Sequence, residues 1–263
     1  MTGVDDQRGA PPRGGGDEGG AVTTQGRLGH AEMERDHGHR DVSGGWLRPT
    51  VFGAMDGLVT NVSLVAGVGG GGASNHTIVL TGLAGLVAGA FSMATGEYTS
   101  VASQNELVAA EVEVERIELR RHPEAERREL VRWFTDRGVG TATAEDVVAA
   151  IAQHPEEELR LHAREELGVD PDELPSPWVA AGSSFASFAV GALLPLLPYV
   201  LGAPVLWLAL AVSAVALFAG GATVARLTRR SIWFGGLRQL GLGALAAGAT
   251  YAVGVGIGAG PVG

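Results

Sequence analysis

The chain has 263 residues, a net charge of −10 and no cysteine, which excludes disulfides, thiolate metal sites and cysteine nucleophiles. Its acidity is uneven: of 29 acids, eight precede Trp46, twenty fall between Glu97 and Glu173, and Asp56 stands alone between the two groups. All nineteen basic residues are arginine, and no basic, aromatic-interleaved stretch offers a surface to nucleic acid.

Residues 1–45 are rich in Gly, Asp, Arg and His and carry no periodic apolar pattern. Such a segment buries too little surface to offset its chain entropy, so a disordered tail is expected. His30, His37 and His39 lie in it. There they read as weak metal scavengers or as plain filler. No apolar stretch lies near Met1, so a cleavable signal peptide is not expected, and the first span directs insertion.

Five apolar stretches follow, roughly Thr50–Gly70, Thr77–Gly96, Trp178–Leu201, Val205–Ala225 and Leu237–Gly258. Each approaches the roughly 20 helical residues needed to cross a bilayer. The first contains Asp56, in Met55-Asp56-Gly57-Leu58. A carboxylate at membrane depth is costly, and residues of this kind mark ion or proton paths. Met93 in span two reads either as core filler or as a soft, neutral ligand. The pair Pro195 and Pro198 in span three predicts a break that frees backbone carbonyls.

Arginine placement gives an orientation. Six arginines precede Thr50, nine lie between Glu97 and Leu174, and four lie between Arg226 and Arg238. The connections Gly71–His76 and Gly202–Pro204 have none. Excess arginine marks the cytoplasmic side, so the N-terminus is expected in the cytoplasm and the C-terminus outside. A multi-pass protein of the bacterial inner membrane is one expectation, with a vacuole-like membrane as the other.

The domain reading is then a tail over 1–45, spans one and two over 46–97, an acidic insert over 98–174, and spans three to five over 175–263. Span two is expected to run out of the membrane as one long helix through Glu118, ended by Pro123. Three shorter helices should follow: Pro123 to about Arg137, Ala144–His154 and Pro155–Leu167, with Gly138 and Gly168 as stops. Glu115 and Glu118 are i,i+3, as are Glu126 and Glu129; His162 and Glu166 are i,i+4. Each pair lies on one helix face. If the helices converge, these six side chains could hold divalent cations, as carboxylate bundles do. The other reading is a solvated face, with Arg116, Arg120, Arg127, Arg128 and Arg132 pairing with the acids.

Asp56-Gly57-Leu58, Ala90-Phe91-Ser92-Met93 with Gly96-Glu97-Tyr98, the acidic insert, and Pro195-Leu-Leu-Pro198-Tyr199 together resemble the vacuolar iron transporter family. The resemblance runs from about Trp46 to Gly258. It implies a homodimer of all-α, five-span subunits with a cytosolic helical metal-binding insert between spans two and three. Such a dimer exports Fe²⁺ from the cytosol in exchange for protons, with Mn²⁺ also carried. On that pattern Asp56 and Met93 line the membrane path, and Glu115, Glu118, Glu126, Glu129 and Glu166 bind metal in the insert. Two positions depart from it. Gly85 stands where plant-like members carry a second membrane acid, and His162 and Ala163 replace two methionines.

Metal is thus expected as cargo and as ligand of the insert, with no tightly bound cofactor. A membrane-anchored metal sensor or buffer without transport is the alternative. An enzyme is not expected, because no nucleophile–base pair, HExxH or phosphate loop is present.

Overall fold

The computed structural model describes residues 45–258, and the tail with its three histidines lies outside the described residues. The described chain is all-α. Five helices are long and apolar enough to cross a membrane: α1 (Leu47–Gly70), α2 (Asn75–Arg121), α6 (Pro177–Leu193, continued to Val200), α8 (Leu206–Leu227) and α9 (Ile232–Gly258). Between α2 and α6 lie α3 (Pro123–Asp136), α4 (Thr141–Ile151) and α5 (Pro155–Glu166). A short α7 (Leu197–Val200) ends the third span.

Helix α1 is the axis of the bundle, packed on α6, α9, α2 and α8. Its apolar residues serve different neighbours. Val65 joins Ile78, Leu196, Tyr199 and Ala209 in one cluster, while Val62 and Ala66 meet Ala247 in another. The approach to α6 is backbone-close: a Cβ at Gly57 would strike the Phe188 carbonyl, and one at Gly191 the Ala54 carbonyl. Large apolar side chains such as Leu80, Phe91, Trp207, Val215 and Ile257 point outward. That is the inversion a lipid-facing surface requires.

The third span breaks where its prolines predict. α6 tightens into a 3₁₀ turn at Leu194–Leu196 before α7. The Ala192 carbonyl, just before that turn, accepts a hydrogen bond from the Asn61 side-chain amide of α1. Asn61 is 1% exposed, so the break is sealed by a neighbouring helix and not by solvent.

Span two and the first insert helix form one helix of 47 residues, about 70 Å at 1.5 Å per residue. The Ser74 hydroxyl caps its start, accepting from the Thr77 N–H at 3.2 Å. Pro123 and Pro155 open α3 and α5 at positions that need no N–H. Gly138 and Gly168, both at positive φ, turn the chain after α3 and α5. Leu130, Ala144, Val148, Leu159 and Ala163 are buried where the insert folds back on itself.

The fifth span begins five residues before its expected start at Leu237. Ile232, Trp233 and Phe234 are already helical, and the Ser231 hydroxyl accepts from the Phe234 N–H at 3.5 Å. Arg238 therefore belongs to the spanning helix, its guanidinium 5.9 Å from the Phe234 ring centroid.

Candidate metal centre

The insert's ligand-type residues come from three helices. α2 supplies Glu115 and Glu118, α3 supplies Glu126 and Glu129, and α5 folds back to supply His162 and Glu166. Four of them converge: one ligand atom from each of Glu115, Glu126, His162 and Glu166 lies within 4.8 Å of all the others. His162 Nδ1 stands 3.2 Å from Glu115 Oε1, 3.4 Å from Glu166 Oε1 and 3.9 Å from Glu126 Oε2. His162 is 1% exposed and Glu115 is 8% exposed. Glu118 and Glu129 stay outside this tight group. Glu118 Oε2 is 2.6 Å from His122 Nδ1, and Glu129 is exposed.

The electrostatics show that the cluster is underneutralised. Burial, then the charges of Glu166 and Glu126, push the Glu115 carboxyl up to about 7. Burial also raises Glu126. His162 opposes that rise, while Glu129, Glu166 and Glu118 reinforce it. Glu115 Oε1 and His162 Nε2 are buried without a hydrogen-bond partner.

The arginines are engaged elsewhere. Arg116 pairs with Glu113 and Glu156, Arg120 with Glu113, Arg127 with Glu124, and Arg137 with Glu165. Among the described residues no arginine pairs with Glu115, Glu118, Glu126, Glu129 or Glu166. The solvated-face reading therefore describes the other acids, such as Glu113 and Glu156. One buried carboxylate (Glu115), one half-buried (Glu126) and one exposed (Glu166) surround a buried imidazole, with no guanidinium among them, a donor set that suits Fe²⁺ or Mn²⁺.

Within the membrane-type helices, Asp56 lines a 430 Å³ cleft between α1, α8 and α9, with Met55, Gly221, Arg238 and Gln239. Its one hydrogen bond among the described residues is from the Thr60 hydroxyl on its own helix, at 3.5 Å. The carboxylate is exposed and bound to no neighbouring helix. Met93 lies elsewhere, against the Ala90, Phe188 and Ala192 cluster between α2 and α6. Met93 does not line the Asp56 cleft. Gly85 fits its place, since a Cβ there would run into the Leu64 side chain. A longer acid would need Leu64 to move.

Two residues escaped the sequence reading. His122 follows Glu118 at i,i+4, the same spacing as His162 and Glu166, and that was a usable signal. Asn61 is an amide in mid-span, five residues past Asp56; its polarity was visible, but its partner was not.

Comparison with known proteins agrees with this architecture. The chain is 38% identical over 216 residues to a vacuolar iron transporter of Acanthamoeba castellanii, covering 80% of this chain and 78% of that protein. It is 35% identical to the vacuolar iron transporter homolog 1 of Oryza sativa subsp. japonica, over 79% of this chain and 72% of the relative. It is 33% identical to vacuolar iron transporter 1 of Arabidopsis thaliana, over 59% and 62%. The sequence model of the VIT family matches residues 47–255, so the five spans and the insert are matched together and the protein is a member of that family.

Proposed function

We propose that the protein carries divalent transition-metal cations across a membrane, exporting Fe²⁺ or Mn²⁺ from the cytosol in exchange for protons. One observation carries the reading. An arginine-free ligand cluster around a buried imidazole is built on the outer end of the same continuous helix that crosses the membrane and bears Met93. The names of the relatives, all iron transporters, point the same way.

In this mechanism the insert faces the cytosol, the side on which the arginine-bearing segments lie. Glu115, Glu126, His162 and Glu166 take up the cation, and Glu118 and Glu129 attract it at the rim. The ion passes down the α2 face to the membrane path, where Asp56 and Met93 replace part of its water shell. A proton arriving from the far side neutralises Asp56 and weakens its hold, so proton entry and cation exit alternate. The protein works as a homodimer, a second copy closing the path over the exposed Asp56 face. Both proton and metal must reach one accessible carboxylate, and Asp56 makes no ion pair among the described residues, with Arg238 lining the same cleft.

Flux of Fe²⁺ or Mn²⁺ into proteoliposomes should require a proton gradient, and Asp56→Ala should abolish it while metal binding to the insert persists. Unchanged flux in Asp56→Ala would overturn the mechanism. Metal binding without flux in the unaltered protein would leave a membrane-anchored metal buffer.

A further inference from the structure

Four arginines, Arg226, Arg229, Arg230 and Arg238, gather where α8 turns into α9. All four are exposed. No acid follows Glu173, so neither helix offers them a countercharge, and among the described residues their guanidinium groups make no ion pair. Of the nine arginines of the insert, six are ion-paired among the described residues, among them Arg116, Arg127 and Arg137 with Glu113, Glu124, Glu156 and Glu165.

This cluster surrounds a shaped cavity. Arg230, Arg238 and Thr228 line a cleft of 520 Å³ whose apolar floor includes Val224 and Ala225. The turn beneath it is fixed by an Arg230 N–H to Ala225 carbonyl bond of 2.7 Å. Arg229 sits in that turn at φ 55°, the only non-glycine at positive φ among the described residues. Glycine is the residue this helix-ending position favours. The chain instead places a fourth guanidinium there. Beside the cleft, Trp233 and Phe234 are 66% and 64% exposed on the first turn of a spanning helix.

We propose that this cleft binds the phosphate headgroup of an anionic phospholipid. Arg230 and Arg238 meet the phosphate, Arg226 and Arg229 add to the attracting field, and Trp233 and Phe234 lie along the glycerol and upper acyl chains. A soluble phosphate would use the arginines but leave the aromatic pair uncovered. That pair lies on the first turn of a spanning helix, the end of a span where aromatic side chains anchor to headgroups, which selects the lipid as occupant. The site shares no residue with the acidic cluster of the insert, while Arg238 lies between this cleft and the Asp56 cleft and lines both.

The test is thermal unfolding of the full-length protein in detergent, titrated separately with phosphatidylglycerol, phosphatidylcholine and inorganic phosphate. Phosphatidylglycerol should raise the midpoint saturably, whereas phosphatidylcholine and inorganic phosphate should not. Arg229→Gly removes a charge where glycine is the favoured residue, so the fold is retained. Combined with Arg230→Gln it should weaken the apparent phosphatidylglycerol affinity about fivefold for each arginine removed. Arg132→Gln in the insert should leave that affinity unchanged. Equal responses to the two lipids, a shift produced by inorganic phosphate at matched concentration, or full affinity in the double variant would each overturn the proposal.

Discussion

Glu115 couples burial to pH. Its carboxyl is held at about 7 against an ordinary value of 4.5, so between these values the folded protein binds a proton that the unfolded chain does not. The sign follows directly. The contribution of this group to stability is fully present below 4.5 and is lost as pH rises through about 7, where the folded state must carry a buried negative charge. A divalent cation reverses the preference, because a carboxylate ligates only after giving up its proton. Metal affinity of the full-length protein should therefore fall about tenfold per pH unit below the Glu115 value, and Glu115→Gln should flatten that dependence while weakening binding. Titration calorimetry with Mn²⁺ across that range reads both effects. A companion experiment separates ligands from bulk charge. Glu115→Ala with Glu126→Ala should weaken binding by at least about a hundredfold, whereas Glu156→Ala with Glu157→Ala removes the same charge and should change it less than about threefold. Equal losses would mean that only the negative field matters.

At the scale of the element, the break in the third span depends on Asn61. Its amide donates to the Ala192 carbonyl just before the 3₁₀ turn, and neither group reaches water. Interhelical hydrogen bonds in membranes contribute about 0.6 to 2 kcal/mol, so Asn61→Ala should destabilise the protein by about 1 kcal/mol. Asn61→Asp should be worse, since it sets a carboxylate oxygen against a carbonyl oxygen where a donor stood. A melting series showing Asp better tolerated than Ala would rule this arrangement out. The proline spacing announced the break, and hydropathy announced the five spans, because length and apolarity are local properties of the chain. The partner of the Ala192 carbonyl was not legible, since it lies 131 residues away in sequence. The same limit applied to the metal cluster. The i,i+3 and i,i+4 spacing told which residues share a face, but not that α5 returns to α2 with His162 innermost and leaves Glu118 beside His122.

For the whole molecule, the decisive count is that of carboxylates within the spans. A side chain at Gly85 would require Leu64 to shift, and Asp56 is the only acid between Trp46 and Gly96 with none after Glu173, so the cleft beside α8 and α9 holds the one membrane carboxylate each chain can offer a passing ion. Under the proposed exchange, Asp56 would return one proton for each divalent cation it releases. That exchange moves a net positive charge outward, and transport by each subunit acting on its own carboxylate should be electrogenic. Moving one charge against a membrane potential costs about 2.3 kcal/mol per 100 mV, which is large enough to alter the rate and the end point of flux. In sealed proteoliposomes with a fixed pH gradient, a potassium diffusion potential set with valinomycin should therefore speed or slow Mn²⁺ flux according to its sign. Flux indifferent to that potential would require two protons per cation, and hence two Asp56 carboxylates meeting a single ion where two subunits join. The electrical measurement thereby counts the acids at the crossing point, and it bears on the dimer as directly as on the proton.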